Sequence, residues 1–138
     1  MRDQILLYVE DEDASAFMLE TALEESDLHL QICRVTDGEE ALLFLKQTGN
    51  YREAPRPDLI LLDLNMPRKG GFEVLSELRC NESLSSLPVV VFSSSALPSD
   101  RRKALALGAL GYITKPRSFE GLVEAIKRAC AYFPRRAS

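Results

Sequence analysis

The segment PDLILLDLNMP, from Pro57 to Pro67, constrains the fold more than any other part of the chain. Its apolar run, Leu59 to Leu62, is short and does not alternate with polar residues, which is typical of a strand buried on both faces of a parallel sheet. The run ends in a carboxylate, Asp63. Ligands of open parallel sheets bind beyond the carboxyl ends of the strands, so Asp63 is a candidate functional residue, although an acid there can also simply cap a turn.

Similar apolar runs alternate with amphipathic segments along the whole chain. The runs predict five strands, at residues 5–9, 30–35, 59–62, 87–92 and 110–113. The segments with apolar residues at helical spacing predict five helices, at residues 13–25, 38–47, 72–80, 98–108 and 122–133. Strands that alternate with helices through right-handed crossovers form an α/β fold with helices on both faces of a parallel sheet. We therefore expect a flavodoxin-like, doubly wound, five-stranded parallel sheet of order 2-1-3-4-5.

Length, charge and cysteine content restrict the class of protein. The chain has 138 residues, and we expect residues 1–138 to form one domain. A formal net charge of -4 argues against direct binding of nucleic acid. No apolar run approaches the roughly 18 residues of a membrane span and no signal-peptide pattern is present, so we expect a cytoplasmic protein that does not bind membranes. The three cysteines lack CxxC spacing, which argues against disulfides and a zinc site.

Polar residues that follow the predicted strands should meet at one edge of this sheet. Glu10 and Asp11 follow the first strand, Asp63 the third, Ser93 the fourth and Lys115 the fifth. The order 2-1-3-4-5 places the first and third strands side by side, so Asp11 and Asp63 become neighbours. Clustered carboxylates repel one another unless a cation lies among them, and hard oxygen ligands suit Mg²⁺. A lysine and a hydroxyl beside such a metal are suited to binding phosphoryl oxygens.

Four motifs at these strand ends resemble those of response-regulator receiver domains, the phosphoacceptors of two-component signalling. They are VED, LLDLNMP, VVVFS and YITKP, and the resemblance that rests on them covers essentially the whole chain. Ser93 and Lys115 are 22 residues apart, which is the usual spacing in that family. The resemblance implies a signalling phosphoacceptor that catalyses only its own phosphorylation and dephosphorylation.

The resemblance assigns roles to the residues of the acidic cluster. It implies that Asp63 is the phosphorylated residue. It also implies that Glu10 and Asp11 are the acidic pair of the Mg²⁺ site, with the backbone carbonyl of Asn65 as a further ligand. Many members of the family have aspartate where this chain has Glu10.

A second set of residues takes the places of the family's signalling elements. Ser93 and Tyr112 correspond to the pair that changes conformation on phosphorylation, with serine at a position where threonine is commoner. Lys115 corresponds to the lysine that contacts the phosphate. The Lys115–Pro116 peptide bond is usually cis in the family, so we expect a cis bond here.

The resemblance also suggests partners. The long segment from Thr48 to Leu75 is similar to that of single-domain regulators that serve phytochrome histidine kinases. A sensor histidine kinase of that type is therefore the expected phosphodonor. We further expect a homodimer through the fourth helix, the fifth strand and the fifth helix. The apolar side chains expected on or near that face are Leu97, Leu110, Tyr112, Phe119, Tyr132 and Phe133. The alternative is that these side chains only close the domain's own core.

Three other functions fit parts of the pattern. A phosphohydrolase of the haloacid-dehalogenase type also uses an aspartate nucleophile and Mg²⁺, but it needs a second acid where this chain has Asn65. A flavodoxin-like cofactor binder would need a phosphate-binding loop after the first strand, where four acids lie at residues 10–13. A degenerate receiver that acts as a phosphorylation-independent interaction module is the third alternative. Every phosphoryl-site position is filled, which argues against it.

Overall fold

The structure is a computed structural model that describes residues 3–66 and 68–134. Pro67, predicted to end the central segment, lies outside the described residues. The strands are β1 (Gln4–Val9), β2 (Leu30–Val35), β3 (Leu59–Leu62), β4 (Val89–Ser93) and β5 (Gly111–Thr114). The helices are α1 (Asp13–Glu25), α2 (Gly38–Lys46), α3 (Gly71–Cys80), α4 (Pro98–Ala106) and α5 (Phe119–Cys130).

All the strands are parallel and their order is β2-β1-β3-β4-β5, which confirms the predicted flavodoxin-like sheet. Val9 in β1 pairs with Leu62 in β3, so the residues that follow these two strands emerge at the same level. The backbone N–H of Asp63 donates to the carbonyl of Val9 at 3.2 Å. The register therefore brings the acids that follow β1 and β3 together.

The sheet separates two apolar cores. One core lies between the sheet and α2, α3 and α4, and the other lies between the sheet and α1 and α5. Successive residues of β3 point into opposite cores, as Leu61 and Leu62 do, and all of β3 is buried. A continuous apolar run, rather than an alternating one, is what a strand covered on both faces requires.

The loop between α2 and β3 contains a short 3₁₀ helix, Gly49–Tyr51, that the sequence did not indicate. The Tyr51 ring lies 5.5 Å from the Phe44 ring, measured between centroids, and the Tyr51 hydroxyl is bonded to the Glu40 carboxylate. The segment 48–56 contains Gly, Asn and Pro, which are typical of a loop. Its packing against α2 explains why it is ordered as a turn of helix.

The expectation of a cis bond at Lys115–Pro116 is wrong. No cis peptide bond occurs among the residues that the structure describes, so this bond is trans. The trans form before proline is intrinsically favoured by about 0.5–1 kcal/mol. With the bond in this form, the backbone N–H of Lys115 donates to the carbonyl of Ser93 at 2.8 Å and the side chain still reaches the acidic cluster.

Two further observations concern the cysteines and the length of the helices. Cys33, Cys80 and Cys130 are free thiols. No helix in the described part of the chain is both long and apolar enough to cross a membrane.

Candidate functional site

Three carboxylates meet at the carboxyl edge of the sheet. Glu10 and Asp11 follow β1 and Asp63 follows β3, and one carboxylate oxygen from each lies within 4.8 Å of the others. Glu10 and Asp63 are only 1% and 6% exposed, whereas Asp11 is exposed. The structure thus brings together the three acids that the sequence predicted to be neighbours.

Lys115 extends into this cluster from the residue after β5. Its Nζ lies 3.5 Å from Oδ2 of Asp63 and forms a close ion pair with Oε1 of Glu10. The Glu10 carboxylate also accepts a hydrogen bond from the Tyr8 hydroxyl at 3.1 Å. The backbone N–H of Glu12 also donates to Oε2 of Glu10, at 3.3 Å. Glu10 is therefore held by three donors, and Asp63 has the more distant contact with the ammonium.

The protonation equilibria follow this arrangement. Burial, assisted by the neighbouring Glu10 carboxylate, raises the pKa of Asp63 to about 6, although Lys115 acts in the opposite direction. Burial also opposes ionisation of Glu10, but the Lys115 ammonium outweighs it and lowers the pKa of Glu10. Burial and Glu10 together raise the pKa of Asp11. Lys115 thus stabilises the ionised form of Glu10 most strongly, and the pKa of Asp63 stays well above its ordinary value.

The donor set fits a divalent cation. Carboxylate oxygens are the ligands that Mg²⁺ and similar hard cations prefer, and the exposed side of Asp11 leaves room for the waters that such ions retain. A cation would also offset the repulsion that raises the pKa of Asp63. The described residues of the site therefore form an acidic metal-binding centre.

Asn65 lies two residues beyond Asp63, in the exposed start of the loop between β3 and α3. The backbone N–H of Leu64 donates to Oδ1 of Asp63 at 2.8 Å, and the carbonyl of Leu64 accepts from the N–H of Gly71 at 3.0 Å. A Cβ atom on Gly71 would lie 2.5 Å from the Asp63 carbonyl oxygen. The start of α3 thus lies directly against the backbone of Asp63. The only sequence signal for this close contact is the pair of glycines, Gly70 and Gly71.

Ser93 and Tyr112 are connected through Ser95. Ser93 is fully buried, and its Oγ accepts from the backbone N–H of Ser95 at 3.2 Å. The hydroxyl of Tyr112 donates to the carbonyl of Ser95 at 2.8 Å, and the ring is buried. The Ser95 hydroxyl in turn donates to Asp100 in the first turn of α4 at 2.6 Å. Ser95 is therefore hydrogen-bonded to Ser93, to Tyr112 and to the first turn of α4.

Two residues that support the acidic cluster were not predicted. Tyr8 lies beneath Glu10, and burial together with the Glu10 carboxylate raises the pKa of Tyr8. Arg34 in β2 donates through Nε to the carbonyl of Glu10 at 3.1 Å and forms an ion pair with Asp13 at 2.9 Å. Tyr8 has a sequence signal, since residues two apart on a strand share a face. Arg34 has none, because its contact depends on strand order.

Some of the side chains predicted for the dimer interface are exposed, and the others pack inside the domain. Leu97 and Leu110 are exposed, as is Tyr132. Phe119 and Phe133 are partly buried and pack against the core that α1 and α5 cover. Tyr112 is buried in the other core. The three aromatic side chains of Tyr112, Phe119 and Phe133 therefore close the domain's own core, whereas Leu97, Leu110 and Tyr132 are exposed.

Known proteins resemble this chain over most of its length. The family model described as response regulator receiver domain matches residues 6–127. The chain is 37% identical to the response regulator Rcp1 of Synechocystis sp. over 124 residues, which cover 90% of this chain and 84% of Rcp1.

Two solved structures have the same architecture. The crystal structure of the Mn²⁺-bound form of Rcp1 matches with a TM-score of 0.85 and 34% identity, covering 96% of this chain and 99% of that chain. The crystal structure of the phosphorylated cyanobacterial phytochrome response regulator RcpA matches with a TM-score of 0.89 and 36% identity, covering 99% and 98%. One similar protein thus binds a divalent metal, and the other is phosphorylated.

Proposed function

This chain belongs to the response-regulator receiver family and is a signalling phosphoacceptor rather than a conventional enzyme, and we propose that Asp63 is the residue that accepts the phosphoryl group. Asp63 is favoured over Glu10 because Glu10 is already bonded to Tyr8 and closely paired with Lys115. It is favoured over Asp11 because Asp63 is buried within 3.5 Å of the Lys115 ammonium, whereas Asp11 is exposed.

The proposed cofactor is Mg²⁺, held by the carboxylates of Glu10, Asp11 and Asp63 and by the backbone carbonyl of Asn65. The proximity of the three carboxylates supports this set, as does the Mn²⁺-bound form of the similar protein Rcp1. When bound, the metal would neutralise the charge that otherwise keeps an anionic carboxylate away from an anionic phosphoryl group.

In the proposed reaction, an Asp63 carboxylate oxygen attacks the phosphorus of a phosphohistidine. A P–O bond forms, the P–N bond breaks, and the imidazole nitrogen leaves with the electron pair and takes a proton from solvent. Lys115, now paired with Glu10 and Asp63, would then contact the phosphoryl oxygens as a point charge. Hydrolysis of the acyl phosphate by water restores the carboxylate.

Ser93 and Tyr112 are proposed to form the conformational switch. The hydroxyl of Ser93 would donate to a phosphoryl oxygen, and its movement toward the phosphoryl group would lengthen the hydrogen bond that Ser93 Oγ accepts from the N–H of Ser95, which would loosen the Ser95 segment to which Tyr112 is bonded. One hydrogen bond contributes about 1 kcal/mol, whereas about 5.5 kcal/mol is needed to shift an equilibrium from 1:99 to 99:1. Metal, Lys115 and Ser93 must therefore act together, or the shift is partial.

The proposed phosphodonor is a sensor histidine kinase, and similarity to the phytochrome response regulator RcpA supports a kinase of the phytochrome type. The proposed compartment is the cytoplasm, where free thiols such as those of this chain persist. A single domain, residues 1–138, would signal by pairing through α4, β5 and α5. The exposed Leu97 and Leu110 support this interface.

The observation that carries the proposal is the buried Asp63 carboxylate, which lies 3.5 Å from Lys115 and within 4.8 Å of two further acids. The test is incubation with acetyl phosphate and Mg²⁺ followed by intact-mass measurement. Wild-type protein should gain one phosphoryl group, and chelation of the metal should prevent the gain. Asp63→Asn should gain none, whereas Asp13→Asn, at the exposed first residue of α1, should label normally.

The same measurement tests the phosphorylation-independent alternative. A folded wild-type protein that takes up no phosphoryl group from acetyl phosphate, with Mg²⁺ present, would support an interaction module. A folded Asp63→Asn variant that still gains one group would instead move the modification to another residue. Filled positions at Asp63, Lys115 and Ser93 argue for labelling.

A further inference from the structure

Asp37 is the one carboxylate outside the acidic cluster that is buried, among the residues that the structure describes. It caps the N-terminus of α2, where Oδ1 accepts from the backbone N–H of Glu40 at 2.9 Å. Its Oδ2 accepts from Nε of Arg68 at 3.0 Å and forms a close contact with Nη2. The side chain of Arg68 is 62% exposed, so a buried acid reaches out to a guanidinium on the surface.

Arg68 lies in the loop between β3 and α3, three residues after Asn65. Its φ of 64° is in the left-handed region, where glycine and asparagine are common and arginine is not. A residue with a long side chain in this conformation needs a compensating contact, because the conformation itself is unfavourable. The two-pronged contact with Asp37 is the contact that the structure provides.

The backbone of the same loop also lies against α2. The N–H of Gly38 donates to the carbonyl of Lys69 at 3.1 Å, and a Cβ atom on Gly38 would lie 2.1 Å from that oxygen. The loop is therefore held to the first turn of α2 by one backbone bond and one ion pair. Asn65 lies in the exposed part of this loop, between Leu64, which is bonded to Asp63 and Gly71, and the two attachments at Arg68 and Lys69.

We propose that the Asp37–Arg68 ion pair positions the Asn65 carbonyl for the divalent metal, so that Arg68 is a positioning residue of the metal site. This inference rests on the metal site of the proposed function. Residues that orient metal ligands through hydrogen bonds typically change metal affinity by 10- to 100-fold when they are replaced. Arg68 would act in this way although it touches neither the metal nor the acidic cluster.

The sign of the effect separates positioning from simple electrostatics. Arg68 is a cation near a cation site, so removing its charge alone should tighten metal binding. Loss of positioning should weaken binding instead. A general loss of stability would lower the unfolding temperature and leave the dissociation constant of the folded protein unchanged.

The test is a titration of ¹⁵N-labelled protein with Mg²⁺, followed through amide chemical shifts. Arg68→Asn suits the left-handed backbone, and Asp37→Asn keeps an acceptor for the N–H of Glu40. Each should weaken Mg²⁺ binding by about tenfold. The double variant should bind no more weakly than either single variant, because both changes remove the same interaction. Arg68→Lys, which keeps the charge, should recover part of the affinity.

Lys69→Ala is the matched control. It removes a neighbouring cation of the same loop, whose side chain pairs with Glu77 in α3 at 2.8 Å rather than with α2. Mg²⁺ affinity of this variant should be unchanged or slightly higher. Folded Arg68→Asn and Asp37→Asn variants that bind Mg²⁺ as tightly as wild type, or more tightly, would overturn the inference. Wild-type protein with no saturable response to Mg²⁺ would instead overturn the proposed metal site, and this inference with it.

Discussion

Replacement of Asp63 by asparagine should stabilise the fold when no divalent metal is bound. Asp63 is only 6% exposed and shares its surroundings with two other carboxylates. Asparagine has nearly the same shape and keeps an oxygen that can accept the N–H of Leu64, which now donates to Asp63 at 2.8 Å. The substitution therefore removes a buried charge while preserving the local hydrogen bond.

The size of the effect follows from the raised pKa of Asp63. The carboxyl has a pKa of about 6 in the fold, compared with 3.8 for an unperturbed group. A difference of about 2 units corresponds to roughly 3 kcal/mol. Because solvent reaches the cluster beside the exposed Asp11, we expect an increase of about 1–2 kcal/mol in the free energy of unfolding at pH 8.

The dependence on pH has a definite sign. A carboxyl whose pKa is raised by folding binds a proton more tightly in the folded than in the unfolded protein, so its ionisation destabilises the fold. For Asp63 this destabilisation is complete above pH about 6 and disappears as the pH falls toward 3.8. The advantage of Asp63→Asn should therefore be largest at pH 8 and roughly half as large at pH 5.

Urea denaturation followed by far-UV circular dichroism, in buffers that contain a chelator, measures this difference. Asp13→Asn is the control, because the Asp13 side chain is 94% exposed and its replacement should not stabilise the fold. Saturating Mg²⁺ should stabilise wild type more than Asp63→Asn and narrow the gap. If wild type and Asp63→Asn are equally stable at pH 8, or if the gain in stability does not change with pH, ionisation of the buried Asp63 does not destabilise the fold.

Four further substitutions test the packing of α3, the role of Lys115 and the proposed dimer interface. Gly71→Ala should lower the free energy of unfolding by about 1–3 kcal/mol in urea denaturation, because its Cβ would lie 2.5 Å from the Asp63 carbonyl oxygen. Gly70→Ala, whose Cβ would have its nearest contact at 3.3 Å, should lower it less, and equal losses would contradict the packing argument. Lys115→Arg should still be labelled by phosphodonor but should not undergo the conformational change, because the guanidinium is larger and its donors are fixed in a plane; a wild-type response of the Tyr112 ring resonances would contradict this. Leu110→Glu should weaken self-association measured by sedimentation after phosphorylation, and an unchanged dimer would remove this face from consideration.

Most of the fold could be predicted because its signals are local. The apolar run of β3 and its closing acid identify a buried parallel strand without reference to any other part of the chain. Strand order follows once five such units alternate, and strand order alone makes Asp11 and Asp63 neighbours. The acidic cluster was thus predictable because it depends on topology and on which residues end the strands.

What could not be predicted depends on contacts between distant segments. Asp37 and Arg68 are 31 positions apart, and only the path of the loop over α2 brings them together. Arg34 reaches the Glu10 carbonyl from a neighbouring strand for the same reason. The Lys115–Pro116 bond lies between β5 and α5, and the cis form expected from the family was wrong.

Reductive trapping directly identifies the phosphorylated residue and so tests whether it is Asp63. The protein would be treated with acetyl phosphate and Mg²⁺, reduced with borohydride, which converts an aspartyl phosphate to homoserine, and sequenced by peptide mass spectrometry. We predict homoserine at position 63 alone, because Glu10 is already bonded to Tyr8 and closely paired with Lys115, and Asp11 is exposed, whereas Asp63 is buried 3.5 Å from the Lys115 ammonium. Homoserine at Asp11, or a stable phosphate on a hydroxyl such as that of Ser93, would contradict the account.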